Sequence, residues 1–552
     1  MGRQSPKNKI YVILIIITLS ALFVLIPNIR SDFGFILFTS PPRVYNTVYE
    51  IKKNPTSKFK DVSTALPSKK SYKRLLESPS SLMEQTRRKI GQTIQDQWLF
   101  LLNQIHNMQK LLSSNSSNSN IISKSKNILQ FIAAHGSEYN SVLQMELKKL
   151  ASEDGFNDWR LKEAQDLKEI VQERIFKLQN PGNCSEDPVL VCNLDNPSGF
   201  ASGVHDVLWC FIKAYKEQRR LVLLTRHWHY EQNGWEMLFL PLSETCGNKH
   251  SIDRTIACPI GRNSNKARWI MRALPQDLGP RIIKLYGDPL AWWYGQFLYY
   301  LMRPNPQLNA HLEHLIQVLL FSEPIAAIHV RRTDKIGSEA TLHDLEEYME
   351  HVEAYFKGLE MTQLETIKRR VYIATDDPRV LIECFTNFPM YECLYYNGSA
   401  EMALTHETRY SNASLLNLVI DIFLMSSTDY LVCTQSSGMC RLAYELKQAL
   451  VENLTDASDT VLSLDIPHHY AYVTPPARKA IYNHKPKSTK EIPFERGNIL
   501  THKDEYCTVR AAVRGKMANG FVNMVLKEKE ILEGLIPMYK TRKSFELVNF
   551  AE

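Results

Sequence analysis

The 552-residue chain has no Asp-x-Asp triplet, no Cys-x-x-Cys pair, no phosphate-binding P-loop, no Gly-x-Gly-x-x-Gly after a strand and no Gly-x-Ser-x-Gly elbow. The first absence removes the usual divalent-metal anchor of nucleotide-sugar enzymes, and the second argues against zinc. The others set aside kinase, dehydrogenase and hydrolase chemistry. Cysteine is sparse: ten residues are too few for a disulfide-dense miniature scaffold. With 22 Gly and 26 Pro the composition is neither collagen-like nor disordered. A strong charge of one sign is also missing. The 66 Lys and Arg against 59 Asp and Glu leave +7, without the concentrated basic face of a nucleic-acid binder, so no nucleic-acid partner is expected.

What is present begins with one long apolar run. Residues 10–26, IYVILIIITLSALFVLI, carry no charge. At ~1.5 Å rise per residue they cover about 26 Å, enough for a thin secretory bilayer. Arg3, Lys7 and Lys9 crowd the preceding flank, so the positive-inside rule makes residues 1–9 a cytosolic tail and turns the rest of the chain to the lumen. The expectation is a single-pass type II anchor, with a cleaved signal peptide as the alternative. Sequons at Asn115, Asn397, Asn412 and Asn453, and a weaker one at Asn183, suit a lumenal body, where cysteines form disulfides.

Length predicts several structured units, at roughly 100–200 residues each. Residues 27–81 are rich in Ser, Pro and Lys and read as a solvated stem. Residues 82–180 read as three helical stretches. Ile90, Ile94, Leu101, Ile105, Met108 and Leu112 trace one apolar seam, and Ile128, Ile132, Tyr139, Leu143, Leu147 and Leu150 a second, separated by SSNSSNSN. Such seams bury against partner helices, either in a homodimeric bundle or within the chain. From 181 to 479 short apolar runs (221–224, 325–330, 371–374, 430–432) alternate with helical stretches such as 342–359 and 415–425. That is the pattern of an α/β body with a doubly wound parallel sheet. Residues 480–545 read as a separate small β module.

Ligands of such sheets bind beyond the carboxyl ends of the strands. One strand end carries Ile328-His329-Val330-Arg331-Arg332-Thr333-Asp334-Lys335, followed by Ile336-Gly337-Ser338-Glu339. Guanidinium forks match phosphate oxygens and keep their charge, so Arg331 or Arg332 suits a departing diphosphate. A structural salt-bridge cluster is the alternative, set against a strand-end setting that also gathers His329, Asp334, Lys335 and Glu339. Asp376-Asp377-Pro378 ends another strand, and Asp376 is expected to cap the helix after Pro378. Cys433-Thr434-Gln435-Ser436-Ser437-Gly438 ends a third. Asp421 on an apolar helix face calls for a ligand or a basic partner. Trp292, Trp293 and Tyr294 read as core, and His227 and His229 as surface.

The runs HVRRTDKIGSEA, EEYMEHVE, RVYIATDDP, LVCTQSSGMCRLAYE, LQNPGNCSEDPVLVCN, SETC and GDPLAWW occur in an order that resembles the α1,6-fucosyltransferase family, which adds core fucose to N-glycans. The resemblance covers residues 82–543. It implies a GT-B-like catalytic body, a coiled-coil N-terminal region, a C-terminal SH3-like β-barrel and a Golgi type II location. The implied reaction is an inverting, metal-independent transfer of fucose from GDP-β-L-fucose to the 6-hydroxyl of the innermost GlcNAc, with N-glycoproteins as acceptors and no cofactor. In that resemblance Arg331 binds the diphosphate and Arg332 supports it. His329 and Asp421 lie near the guanine, Tyr230 near the nucleoside, and Ser437 on a phosphate. Glu339 matches the general base with Lys335 beside it; Asp334, Tyr348, Asp376 and Asp377 match as supports, and Asp288 on the acceptor side. An inverting displacement does need a carboxylate that takes the acceptor's proton.

The resemblance also pairs Cys184 with Cys246, Cys192 with Cys210 and Cys433 with Cys440. Cys258, Cys384, Cys393 and Cys507 are left over, with Cys384 and Cys393 a plausible extra pair. The terminal module lacks the groove tryptophan of a proline-binding SH3 domain, having Met517, Ala518 and Asn519 before Gly520, and either packs on the body or binds glycan. A protein O-fucosyltransferase-like or other GDP-sugar transferase, and a non-catalytic glycan-binding adaptor, are the competing readings.

Overall fold

The computed structural model describes residues 78–450 apart from 115–118, 196–197, 227, 248, 250–251, 259–270, 272, 334–341 and 364–365. It also describes 456–465, His468, Pro493, Glu495 and five short strands beyond residue 477. The tail, anchor and stem expectations, and Asp334, Lys335 and Glu339, lie outside the described residues. None of the described helices is long and apolar enough to cross a membrane.

Helices α1 (Ser81–Ser114), α2 (Ser119–Glu153) and α3 (Asn157–Gln179) are the three helical stretches read in residues 82–180, the first two carrying the two seams. α1 and α2 run antiparallel: the Gln144 amide donates to the Gly91 carbonyl, Asn140 to Gln95, and Trp98 lies on Gly136. The seam is thus partly consumed within the chain, with Trp98, Leu102, Ile105 and Leu129 buried. Leu101, Met108, Ile128, Phe131, Tyr139, Leu143 and Leu150 remain exposed. The hairpin is fixed to the body by Arg88, whose guanidinium donates to the carbonyls of Ile283, Lys284 and Leu285. Buried Glu84 accepts from Arg160 at 2.7 Å, tying α1 to α3. Burial alone would push the Glu84 carboxyl up, but Arg160 and Arg87 outweigh it and hold it below its ordinary value.

Among the described residues the body contains a three-stranded and a five-stranded parallel sheet rather than one sheet. The first is built from β1 (Val189–Asn193), α4 (Phe200–Lys216), β2 (Arg220–Leu224) and β3 (Thr255–Cys258), in the order β2-β1-β3. After β4 (Ala273–Pro275) come α5 (Gly279–Leu285), α6 (Pro289–Leu301) and α7 (Pro306–Val318). The second sheet takes β5 (Ala326–Val330), then α8 (Leu345–Gln363), β6 (Arg370–Thr375), α9 (Arg379–Asn387) and β7 (Glu392–Leu394). Next follow α10 (Ser399–Leu404), α11 (His406–Arg409), α12 (Asn412–Ser426), β8 (Tyr430–Cys433), α13 (Gly438–Leu450) and β9 (Val461–Ser463). Its order is β7-β6-β5-β8-β9, all parallel.

Both faces of this sheet are covered, which is why its strands are continuous apolar runs. Ala326, Ile328, Val330, Val371 and Ile373 join the core under α8 and α9. Ala327, Tyr372, Ala374, Leu431 and Cys433 join the larger core on the other face, with α12 and α13. Trp292, Trp293 and Tyr294 are fully buried in that core, as expected. α6 and α13 approach so closely at Gly295 that a Cβ there would lie 2.2 Å from the Glu445 carbonyl. Beyond residue 477 the described pairs are Arg478–Lys479 with Ile499–Leu500 and Ala512–Val513 with Lys516–Met517, both antiparallel, and Glu546–Val548 with β4, parallel.

Among the described residues four disulfides are present. Cys184–Cys246, Cys433–Cys440 and Cys384–Cys393 agree with the expectations. The expected Cys192–Cys210 bridge does not form: Cys210 bonds Cys258 instead, with Cα atoms 6.0 Å apart. The reason lies in the sheet. β1 pairs with β3 so that Cys192 and Cys258 are register partners, which brings both near α4. It is the Cys258 sulfur that meets Cys210, leaving Cys192 a buried thiol.

Candidate active site

Three neighbouring strands, β6, β5 and β8, end side by side, and every described candidate cation and small polar group of the second sheet follows one of these ends. Arg331 leaves β5 with its Nη1 2.7 Å from Asp376 Oδ2 at the end of β6. Asp376 is buried, and its carboxylate also accepts the Arg332 amide at 2.8 Å, the Thr333 amide at 3.3 Å and the Thr333 hydroxyl. It does not cap α9, correcting the sequence reading: its side chain turns back across the sheet to β5. Asp377 is the residue that faces α9, accepting the Arg379 amide and guanidinium. The Arg379 hydrogen bond outweighs burial and lowers the Asp377 carboxyl.

The two arginines diverge. Arg332 makes a two-pronged pair with Glu383 on α9, at 2.6 and 2.8 Å, and this hydrogen bond raises its already high pKa. Arg332 and Glu383 border an open cleft of about 510 Å³ also lined by Leu342, Asp344, Glu346 and Arg379. Arg331 instead pairs with Asp376. Together with Arg409 it is close enough to Tyr230 to oppose electrostatically the upward shift that burial gives the phenol. Arg409, at the end of α11, donates to the Thr333 hydroxyl at 3.0 Å and to the Ala403 carbonyl at 2.7 Å. Tyr230 accepts the Phe200 amide at 3.0 Å at the start of α4. Its ring and that of His229 pack on Tyr410 at 5.2 and 5.1 Å. His229 is therefore half-buried in an aromatic cluster rather than a surface residue, and burial lowers its pKa. His227 lies outside the described residues.

His329 sits in β5 beside Ala374, on the face covered by α12. Asp421 on that helix is buried and accepts the Tyr372 hydroxyl and the Ser399 hydroxyl. Its protein partners are thus neutral donors, where the sequence reading called for a ligand or a basic partner. Burial raises its carboxyl to about 6, with these two hydrogen bonds opposing the rise. Tyr348 on α8 is buried, and desolvation raises its phenol.

The Ser437 turn after β8 is stitched down. The Cys433–Cys440 bridge closes it, the Ser437 amide donates to the Thr434 carbonyl at 2.9 Å, and the Gln435 amide to Ser463 Oγ at 3.1 Å. The Ser436 amide points at the Asp465 carboxylate, 3.3 Å away. At Gly438 a Cβ would come within 3.0 Å of Ala201 Cβ, so α4 of the first sheet abuts this turn. Asp288 is the N-cap of α6, accepting the Ala291 amide at 3.1 Å, and its other oxygen meets His468 Nδ1 at 2.9 Å. Arg409, Tyr410, Glu383, Asp465 and His468 carry no local sequence signal; the fold alone gathers them. Among the described residues no group of three or more His, Cys, Asp or Glu is arranged to hold a metal ion.

The profile described as Alpha-(1,6)-fucosyltransferase N- and catalytic domains matches residues 44–466. An alpha-(1,6)-fucosyltransferase of Drosophila melanogaster is 33% identical over 491 residues, covering 86% of this chain and 76% of that protein. One of Caenorhabditis elegans is 33% identical over 427 residues, covering 74% of this chain and 72% of that protein. Among solved structures, the fucosyltransferase NodZ from Bradyrhizobium is 13% identical, covers 47% of this chain and 92% of its own, and has a TM-score of 0.28.

Proposed function

The chain belongs to the alpha-(1,6)-fucosyltransferase family, and from that premise we propose that it transfers fucose from GDP-β-L-fucose to the 6-hydroxyl of the innermost GlcNAc of N-glycoproteins. The observation that carries the site assignment is the Arg331–Asp376 pair at adjoining strand ends, beside the Ser437 turn. A guanidinium already oriented by a buried carboxylate takes up charge on the departing diphosphate without reorganising as the bond breaks. Arg332, its fork filled by Glu383, holds the strand end rather than the donor. Tyr230 flanks the nucleoside, His329 and Asp421 face the guanine, Glu339 removes the acceptor proton and Lys335 orients it. The product is inverted at the anomeric carbon, and no metal is required, a reading supported by the absence of an Asp-x-Asp triplet.

The body is of the GT-B type, a reading supported by its two parallel sheets. The protein is a Golgi type II membrane protein, supported by the apolar run at 10–26 and by four disulfides, which persist in oxidising compartments. It is a homodimer through the exposed stripe from Leu101 to Leu150 on α1 and α2. Residues 480–545 form an SH3-like module. The test is an assay of residues 82–552 with GDP-fucose and a defined N-glycopeptide, with and without chelator, with linkage analysis of the product. Core α1,6-fucose formed equally in both arms is the expected result; fucose at another position, or on peptide, overturns the acceptor assignment.

A further inference from the structure

Behind the Ser437 turn, four ionisable side chains from three helices and the chain after β9 form an unbroken line, buried at Glu445 and His205 and half-buried at Asp288. Asp288 Oδ2 lies 2.9 Å from His468 Nδ1, and His468 Nε2 lies 2.9 Å from Glu445 Oε1. Glu445 Oε2 lies 2.8 Å from His205 Nε2, and His205 Nδ1 lies 2.7 Å from the Ala201 carbonyl. Glu445 and His205 are fully buried and the His468 side chain is 9% exposed. An ionised carboxylate only accepts hydrogen bonds, so with one on each ring nitrogen His468 is a double donor, an imidazolium. His205 likewise faces acceptors at both ring nitrogens, so without His468 the Glu445 carboxylate keeps His205 while the half-buried Asp288 carboxylate loses its charged partner. The groups facing His468 are Asp288 and the Tyr294 ring from α6, and Tyr444 and Glu445 from α13, with His205 of α4 behind Glu445.

The line ends where the donor turn begins. Ala201, whose carbonyl His205 holds, is the residue against Gly438. Glu445 stands two turns along α13, the helix that starts at Gly438. His468 follows by three residues the Asp465 carboxylate that faces the Ser436 amide. The network therefore locks α4, α6 and α13 and the chain after β9 around one turn. Nothing in the sequence flags it, since its members are scattered from position 205 to 468.

We propose that His468 is a positioning residue for the nucleotide-sugar: as the cation shared by Asp288 and Glu445, it holds Asp465 and the α4–α13 contact in the arrangement that presents the Ser437 turn to the diphosphate. This rests on the reading of Ser437 as a phosphate contact. Burial by itself would lower the imidazolium's pKa, but Asp288 foremost, and Glu445, carry it up to about 9. The lock is therefore closed throughout the neutral range and opens as pH rises through that value.

The test uses His468→Asn and His468→Gln, which mimic the hydrogen bond of one ring nitrogen each and remove the charge. GDP affinity by calorimetry, and KM and kcat for GDP-fucose and for a glycopeptide acceptor, are followed against pH. Loss of one charge-assisted contact predicts a roughly tenfold weaker GDP Kd, read without acceptor present, and a higher donor KM in both variants. Wild-type donor KM stays flat through neutral pH and climbs through about 9, while the variants show no such climb. GDP Kd within twofold of wild type in both variants overturns the role. A wild-type chain that binds GDP but fails to fucosylate the N-glycan core overturns the acceptor reading instead and leaves the His468 result interpretable through the calorimetry.

Discussion

Asp376→Asn is the perturbation that separates a catalytic guanidinium from a structural one. The carboxylate now serves four donors on two oxygens: the Arg332 amide on Oδ1, and Arg331 Nη1 with the Thr333 amide and hydroxyl on Oδ2. Asparagine keeps one oxygen. Turned toward Arg331, it sets its NH2 against the Arg332 amide and leaves that donor unsatisfied, a cost of about 1–3 kcal/mol. The Arg331 contact also becomes charge-to-neutral, at roughly half its former strength. Together these amount to roughly 2–4 kcal/mol, of which the Arg331 share falls on the transition state. The expected outcome is a fall in kcat/KM of at least tenfold, about 1.4 kcal/mol, with weakened GDP binding. Steady-state transfer and GDP calorimetry, on protein whose near-UV circular dichroism matches wild type, give the measurement. A variant within threefold of wild type in kcat/KM would mean that Asp376 does not orient the group doing the chemistry.

Other consequences are as definite. Gly136→Ala drives a methyl to within 2.1 Å of the Trp98 ring, so the α1–α2 hairpin should lose about 1–3 kcal/mol; a melting temperature equal to wild type contradicts the packing. Cys210→Ser and Cys258→Ser should each cost about 2–4 kcal/mol while Cys192→Ser leaves the bridge intact, and peptide mapping under non-reducing conditions should recover Cys210 with Cys258. The buried imidazolium also sets a stability window. His468 is raised from its ordinary value near 6.5 to about 9, so its contribution is complete below about 6.5 and lost as pH climbs through 9. Glu445 is carried down to about 2 by His205 and His468 against the opposing effect of burial, so its share is present above the ordinary glutamate value and lost as pH falls toward 2. Lys447, lowered by burial to about 8, titrates in the alkaline window too, so the quantity to read is the urea-midpoint difference between wild type and His468→Gln; a constant difference from neutral pH to 10 contradicts the assignment.

The strands and the arginine pair were legible because a buried parallel strand is a short apolar run and a charged pair at its end stands out against it, whereas the divergence of Arg331 and Arg332 was not. The three N-terminal helices were legible from period alone, although period does not say whether a seam meets its own chain or another. The partner of Cys210 was not legible: Cys192 and Cys258 become neighbours only through the β1–β3 register, which no local pattern encodes. Asp376 looked like a helix cap because Pro378 follows, and only the adjacency of β5 and β6 turns its carboxylate toward Arg331. Asp421 was rightly marked as needing partners, but these come from β6 and α10, far away in sequence. The His468 line is the extreme case, assembled from helices whose only shared property is that they meet behind the same turn.

The account stands on Arg331 as the group that absorbs charge from the departing nucleotide. Its most direct measurement is single-turnover fucose transfer to an N-glycopeptide by Arg331→Ala and Arg331→Lys, alongside GDP binding. Losing a preorganised donor to the leaving group should lower the alanine rate by about 100-fold or more, and lysine, with charge but no fork, should recover only part of it. An alanine variant that transfers fucose within tenfold of the wild-type rate contradicts the account.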